Sequence, residues 1–126
     1  MYRIVVKGHP VPKGRPRFSR FGRIYTPRRT KEYEEYIGWI ARSIIKSPIK
    51  GKVGMHLDIY MKGSADIDNI AKAVADSLNG IAYIDDRQIV HLETKRMPCA
   101  SSEDERVEIT LWEEDNIKKA EGDGER

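Results

Sequence analysis

The chain has 126 residues and a formal net charge of +3, with 39% hydrophobic and 34% charged residues, which indicates one globular domain rather than a disordered segment. No apolar run approaches the roughly 18 residues of a membrane span, and the first residues alternate rather than form a secretory signal. The single cysteine, Cys99, excludes an internal disulfide framework and a cysteine-rich zinc site, and we expect a cytoplasmic location.

The charge is distributed unevenly along the chain. Residues 1–31 contain ten Lys or Arg and no Asp or Glu, whereas the other 95 residues contain 13 basic and 20 acidic side chains. Such a chain can place a basic surface beside an acidic pocket, which suits a polyanionic substrate such as nucleic acid. A basic arm that is merely solvated explains the same counts equally well.

The first predicted elements are a short strand and a long loop. Tyr2, Ile4 and Val6 alternate with their neighbours and predict a strand. Residues 8–29 contain three glycines and four prolines, which interrupt regular structure repeatedly. Loops of this length are usually functional or disordered.

A helix is predicted to follow the loop. Thr30 is a candidate N-cap, and acidic residues in the early turns favour a helix N-terminus. Pro48 is expected to end the helix. Its buried stripe is predicted from apolar residues at helical spacing: Tyr33, Ile37, Ile40, Ala41 and Ile44.

The remainder predicts three further strands and a second helix. Residues 53–61 alternate strictly, with Val53, Met55, Leu57, Ile59 and Met61 on one side. A helix is predicted for residues 68–79, followed by Gly80, then a strand at residues 88–95 and another around residues 107–111. Residues 114–126 lack periodicity and predict a disordered tail. The fold class is therefore α+β: one layer of about four mixed or antiparallel strands covered by two main helices.

An acidic group occupies the second helix and the turn that follows it. Asp66 and Asp68 project from one side if residues 65–68 are extended, and Lys72 lies one helical turn after Asp68. Asp85 and Asp86 lie on the next turn, and short connections bring consecutive elements together. Three carboxylates can therefore converge at the start of the helix. Such a pocket suits Mg²⁺, which relieves their mutual repulsion and promotes phosphodiester cleavage.

Each of these residues also has an ordinary structural interpretation. Asp68 can merely cap the helix, and Asp85 and Asp86 can form a polar turn. Lys72 can pair with Asp76 on the surface, an interaction that contributes only about 0.3 kcal/mol. An Asp-x-Asp pair alone is weak evidence for a metal site.

Two longer motifs resemble the RusA endodeoxyribonuclease family, whose members resolve Holliday junctions. They are DIDNIAKAVADSLNG, residues 66–80, and YIDDRQI, residues 83–89; upstream PKGRPR and TP match a pattern of the phage and prophage members. The likeness covers about residues 2–113 in the expected order. It implies a single RusA-like nuclease domain at residues 1–113, with residues 8–29 as a long basic loop.

The resemblance also implies an activity and its residues. Members of the family are homodimers that nick four-way junction DNA in symmetric pairs using Mg²⁺ or Mn²⁺, in recombination and repair. The catalytic and metal-binding carboxylates map onto Asp66, Asp68 and Asp86, and the functional lysine onto Lys72. Asp85 is a possible further ligand, and we expect Asp76 to be structural. The alternatives are a noncatalytic branched-DNA-binding protein and a nuclease for other branched DNA.

The basic loop is predicted to bind DNA. Its cations would contact phosphates without reading sequence: Lys13, Arg15, Arg17, Arg20, Arg23, Arg28 and Arg29. The interleaved aromatics Phe18, Phe21 and Tyr25 either stack on opened bases or anchor the loop to the core.

Two other groups of residues have features that bear on assembly and metal binding. The first helix carries Tyr33, Tyr36 and Trp39 on more than one face and is a candidate dimer surface. The three histidines, His9, His56 and His91, form no recognisable ligand cluster and predict surface or core positions.

Overall fold

The computed structural model describes residues 1–114. Its strands and helices, in chain order, are β1 (Tyr2–Lys7), β2 (Arg17–Phe18), β3 (Ile24–Tyr25), α1 (Arg28–Ile44), β4 (Val53–Tyr60), α2 (Ile67–Ser77), β5 (Ile89–Met97) and β6 (Arg106–Glu113). Short 3-10 turns precede β5 and β6.

The main sheet has four strands in the order β1-β6-β4-β5. β6 pairs antiparallel with both β1 and β4, whereas β4 and β5 are parallel. Parallel neighbours need a crossover connection, and α2 lies in the one that joins β4 to β5. The predicted α+β class, with a mixed four-stranded sheet and two helices, is confirmed.

The core lies between one face of this sheet and the two helices. The alternation of β4 is confirmed, since Val53, Met55, Leu57 and Ile59 are completely buried and Met61 is nearly so. Both helices contribute fully buried residues to the same cluster. Truncating a residue such as Leu57 to alanine removes buried methyl groups and leaves a cavity, which costs about 2–5 kcal/mol.

The first helix departs from its predicted boundaries. α1 begins at Arg28, two residues inside the predicted loop, and its N-cap is Pro27, which offers no side-chain hydrogen bond. Thr30 is therefore not the cap. The helix ends at Ile44, four residues before Pro48, and Ile45 instead of Ile44 enters the core.

The other elements lie close to their predicted positions. α2 spans Ile67–Ser77, and Gly80 beyond it has a φ of +80°, which a glycine adopts without strain. The predicted loop at residues 8–29 contains the β2–β3 hairpin.

Glu114, assigned to the tail, is buried, and its backbone N–H donates to the Lys52 carbonyl at 2.8 Å. Residues 115–126 of the predicted tail lie outside the described residues. Within residues 1–114, no helix is both long and apolar enough to cross a membrane.

Candidate active site

The N-terminal end of α2 presents two exposed aspartates. Asp66 is the N-cap, and its Oδ1 accepts a hydrogen bond from the Asp68 backbone N–H at 3.1 Å. Capping therefore belongs to Asp66 rather than to Asp68, and Asp68 is the second helical residue rather than part of an extended segment. The carboxylate of Asp68 has no hydrogen-bond or ion-pair partner among the described residues, so it is available for a ligand.

Three charged residues follow one another along α2 at intervals of four. Asp68, Lys72 and Asp76 therefore lie on neighbouring turns of one helix face. Lys72 is 62% exposed, and its Nζ lies 3.9 Å from Asp76 Oδ2. The surface pair that the sequence offered as the ordinary interpretation of Lys72 is therefore present, but it leaves most of the ammonium group open to solvent.

The two aspartates of the turn after α2 differ in their surroundings. Asp85 caps the 3-10 turn at residues 86–88, since its Oδ1 accepts from the Arg87 backbone N–H at 2.9 Å. That backbone hydrogen bond, together with the Arg87 side chain, lowers the pKa of Asp85. Asp85 thus has the role of turn former that the sequence allowed for it.

Asp86 lies beside other carboxylates instead. Partial burial raises its pKa, and the negative charges of Asp76 and Asp85 raise it further. Tyr83 stabilises this arrangement, because its hydroxyl donates to the Ala75 carbonyl at 2.7 Å and so fastens the segment before the turn to α2. A carboxylate in this position gains from a nearby cation.

One chain does not gather the three predicted ligands. Among residues 1–114, no three Asp, Glu, His or Cys side chains lie close enough to hold one metal ion. The charge of Asp76 raises the pKa of Asp86, so these two residues lie close together. Asp76 is eight residues beyond Asp68, a separation of about 12 Å along a helix axis. The expectation that Asp66, Asp68 and Asp86 converge at the helix start is therefore not met within a single chain.

Lys13 lies in this region and not among the open cations of the basic loop. Its Nζ is 2.7 Å from Glu34 Oε2 on α1 and 3.0 Å from Asp76 Oδ2 on α2. Partial burial alone would lower the pKa of Lys13, but the hydrogen bonds to these two carboxylates raise it. The sequence predicts a phosphate contact for Lys13 and gives no sign of this ion-pair network. The spacing of Asp76, four residues after Lys72 and eight after Asp68, is the signal that could have included Asp76 in the site.

The remaining basic residues of the loop are exposed. Two clefts lie along this segment. One of about 340 Å³ is lined by Lys13, Gly14, Arg15, Pro16, Asn69 and Lys72. Another of about 350 Å³ is lined by Arg17, Tyr25, Pro27, Arg28 and Arg29. The six loop arginines that sequence reasoning assigned to DNA all lie at the surface: Arg15, Arg17, Arg20, Arg23, Arg28 and Arg29.

The aromatic residues of the hairpin do not pack on the core. Phe18 is 70% exposed and Phe21 84% exposed, and Tyr25 is also exposed. The sequence left two interpretations of these rings open. The structure contradicts the one in which the rings anchor the loop to the core. Their exposed faces are compatible with stacking on bases.

The residues proposed for a dimer surface on α1 divide into two groups. Tyr33 is buried in the core, so it is unavailable for a surface contact, whereas Tyr36 and Trp39 are exposed.

The histidines lie outside the α2 site, and each contacts carboxylates. His9 Nδ1 is 2.8 Å from Glu105 Oε2. His56 lies between Asp58 and Glu93, at 2.9 and 2.8 Å, on the sheet face opposite the helices. His91 contacts Glu93 and Glu114, at 3.2 and 3.1 Å.

Comparison with known proteins gives a consistent result. The sequence profile described as endodeoxyribonuclease RusA matches residues 7–112. The chain is also 30% identical over 138 aligned positions to an uncharacterised protein of Bacillus subtilis (strain 168), YqaN; the alignment covers 88% of this chain and 95% of that protein.

Proposed function

Because this chain belongs to the RusA endodeoxyribonuclease family, we propose that it is a Mg²⁺-dependent endonuclease that resolves Holliday junctions by paired symmetric nicks. Family membership supports a nuclease function. The substrate, the metal, the homodimer and the roles in recombination and repair are parts of the proposal, as is action in the cytoplasm.

The observation that carries the proposal is the placement of carboxylates beside a cationic cleft. α2 presents Asp68 and Lys72 on the same side. Lys72 lines one cleft with Arg15 of the basic loop, residues 8–29, hereafter the basic segment. Carboxylates near DNA repel phosphates unless a cation compensates them. Asp68 has no hydrogen-bond or ion-pair partner within residues 1–114, so a protein that only bound branched DNA would gain nothing from its charge, and this argues against the noncatalytic alternative.

The oxygen donors present fit Mg²⁺, with Mn²⁺ as a substitute. Partial burial and the negative charges of Asp76 and Asp85 raise the pKa of Asp86, so its ionised form would gain from a bound cation. Mg²⁺ needs only one or two protein carboxylates because water and phosphate oxygens complete its shell. Asp66, Asp68 and Asp86 are the residues that would hold it, with Asp85 beside them. Bound Mg²⁺ supplies charge compensation for the phosphate and lowers the pKa of a coordinated water.

The other residues then have defined roles. The exposed ammonium of Lys72 neutralises negative charge that develops on the phosphate during cleavage. The six exposed arginines bind the DNA backbone without regard to sequence. The rings of Phe18, Phe21 and Tyr25 stack on bases that are unpaired near the crossover.

A homodimer fits both the substrate and the separated carboxylates. A four-way junction with two-fold symmetry presents two equivalent phosphates, and a two-fold dimer presents two equivalent sites. Since one chain keeps Asp68 and Asp86 apart, we propose that each site combines Asp66 and Asp68 of one subunit with Asp86 of the other.

Mixing two inactive variants tests this arrangement. Asp68→Asn and Asp86→Asn proteins are each expected to be inactive alone, whereas a refolded mixture contains heterodimers in which one site retains both aspartates. Such heterodimers should nick one strand of the junction. If the mixture is as inactive as either variant, the sites lie within single chains. A monomer in sedimentation analysis would also contradict the proposal.

The activity is tested with a synthetic mobile junction, a flap and a plain duplex, each with and without Mg²⁺. Paired nicks at symmetric positions of the junction, dependent on Mg²⁺, are the expected result. Preferential flap cleavage would indicate the nuclease for other branches, and junction binding without any nick would indicate the noncatalytic protein. EDTA should stop cleavage while the circular dichroism spectrum stays unchanged; loss of the spectrum would point to a structural metal instead.

A further inference from the structure

Lys13 joins the start of the basic segment to both helices. Its ammonium nitrogen contacts Glu34 of α1 at 2.7 Å and Asp76 of α2 at 3.0 Å, and all three side chains are about four-fifths buried. The pair of carboxylates more than balances the single positive charge. Lys13 therefore has little remaining capacity to neutralise a DNA phosphate unless these contacts break.

Backbone contacts hold the same point of the segment. The Lys13 backbone N–H donates to the Asn69 carbonyl at 2.9 Å, and the Gly14 backbone N–H donates to Thr30 Oγ1 at 3.0 Å. Thr30 is buried in the first turn of α1, and its hydroxyl contacts residues 12 and 14 instead of capping the helix. A side chain at Gly14 would approach Pro27 Cγ to 2.9 Å, so the segment passes α1 closely at this residue.

The residues on either side of this attachment differ in what they can reach. Arg15 follows immediately, is exposed, and lines a cleft with Lys72. The attachment at residues 13 and 14 therefore determines where the Arg15 guanidinium stands relative to α2. Two cations across one cleft form a suitable place for a backbone phosphate.

We propose that Lys13 is a positioning residue for DNA binding: through Glu34 and Asp76 it holds the basic segment against α1 and α2, so that Arg15 and Lys72 engage one phosphate. The proposal rests on the proposed function in that the ligand is DNA. It differs from the direct phosphate contact that the position of Lys13 in a basic loop predicts.

Glu34 separates the two interpretations. If Lys13 contacted phosphate directly, Glu34→Gln would relieve the ammonium group of one of its two carboxylate partners and remove a negative charge, and DNA would bind more tightly. If Lys13 positions the segment, the same substitution removes a partner of the attachment and DNA binds more weakly. Glu34 is chosen in preference to Asp76 because Asp76 also contacts Asp86.

The experiment compares the full chain with Lys13→Met, Lys13→Arg, Glu34→Gln, the Lys13→Met/Glu34→Gln double variant and Glu35→Gln. Glu35 is the matched control, since it is exposed on the same helix and its substitution changes the charge identically. Junction Kd is measured without metal, to prevent cleavage. Amide exchange at Lys13 and Gly14 is measured without DNA.

Glu34→Gln and Lys13→Met should each raise the junction Kd about three- to tenfold, which corresponds to about 0.7–1.4 kcal/mol. The double variant should resemble Lys13→Met alone, because both substitutions break the same Lys13–Glu34 ion pair. Lys13→Arg should restore most of the affinity. Amide exchange at residues 13 and 14 should accelerate in Glu34→Gln and Lys13→Met, while Glu35→Gln leaves exchange unchanged and does not weaken binding.

Tighter DNA binding by Glu34→Gln, or unchanged exchange at residues 13 and 14, would overturn the proposal. Equal weakening by Glu34→Gln and Glu35→Gln would overturn it as well. Failure of the proposed function has a different signature. If the unsubstituted chain binds no junction, then accelerated exchange in Glu34→Gln would still show the attachment, and only its role in DNA binding would be lost.

Discussion

The two ends of α2 carry the same kind of side chain in opposite environments. At the N-terminal end, Asp66 and Asp68 are exposed, and within residues 1–114 neither carboxylate has a hydrogen-bond or ion-pair partner beyond the capping bond of Asp66. Farther along the helix, Asp76 is largely buried, contacts Lys13 and Lys72, and adjoins Asp86. One helix face thus presents open carboxylates at one end and compensated carboxylates at the other.

The difference shows how one helix can serve binding and architecture together. Open carboxylates can exchange water for a metal ion at little structural cost. Compensated carboxylates attach segments that are distant in the sequence, here the basic segment and α1, which Lys13 joins to α2. We therefore expect substitutions at the open end to change chemistry, and substitutions at the enclosed end to change structure as well.

The largest expected effect is that of Asp68→Asn at the open end. Loss of an outer-shell partner costs about 10–100-fold in metal affinity or activity, so loss of a direct ligand should cost at least about 100-fold in junction cleavage. Junction binding should survive or tighten, because a negative charge is removed near DNA. Cleavage assays with Mg²⁺ and gel-shift assays without it measure both. Undiminished nicking would remove Asp68 from the catalytic set.

Asp66 tests whether capping and chemistry can be separated at one residue. Asparagine caps a helix about as well as aspartate, whereas alanine loses about 1 kcal/mol of stability. Asp66→Asn should therefore keep its denaturation midpoint and lose cleavage, and Asp66→Ala should lose both. Urea unfolding and cleavage assays provide the two measurements. Normal cleavage by Asp66→Asn would restrict Asp66 to its cap.

Arg15 lines the same cleft as Lys72 of α2. Arg15→Ala should weaken junction binding. Removing one phosphate contact is expected to reduce the slope of log K against log salt by about 0.9 per contact. Arg3→Ala is the control, because Arg3 lies on β1 and pairs with Glu108. Titrations at several salt concentrations give the slopes, and an unchanged slope for Arg15→Ala would show that Arg15 misses the phosphates.

The smallest expected effect is on stability at the enclosed end. The folded-state pKa of Asp86 is raised, so the protonated side chain favours the folded state at acid pH. This contribution to the free energy of unfolding is lost as the pH rises through that pKa. Asp86→Asn should therefore raise Tm slightly at pH 7 and not at about pH 3. Asp85 has a lowered pKa, so its contribution is present above the unfolded pKa and lost as the pH falls, and Asp85→Asn should lower Tm at pH 7. A lower Tm for Asp86→Asn at pH 7 would contradict the repulsion inferred here.

The fold could be predicted from periodicity because burial has a regular spacing. Alternation along residues 53–61 gave the central strand, and the apolar spacing of residues 70–78 gave α2. The boundaries of α1 could not be predicted in this way. Thr30 has the composition of a cap, but its hydroxyl serves a tertiary contact with residues 12 and 14, and no local pattern reveals which of these partners a threonine takes.

The sequence indicated residue types for the candidate site more readily than their geometry. The motif of residues 66–72 drew attention to α2 and the following turn, and the roles of these residues stay predictions. Sequence spacing could not show that Asp86 adjoins Asp76, because the turn folds back along the helix toward its later residues. Likewise, a lysine within a run of basic residues gives no sign that two carboxylates from different helices have already engaged it.

The pairing of β1 with β6 has a consequence for when this chain can fold during its synthesis. Tyr2 pairs with Leu111 and Lys7 with Arg106, and β6 stands between β1 and β4. Contacts between such distant residues form slowly, because closing a long loop of chain costs conformational entropy before the contact stabilises it. During translation, β1 leaves the ribosome before β6 and has no strand to pair with until β6 has been synthesised. The scaffold beneath the aspartates of α2 is then completed only after those aspartates have left the exit tunnel, so the nascent chain carries its acidic residues before it can use them.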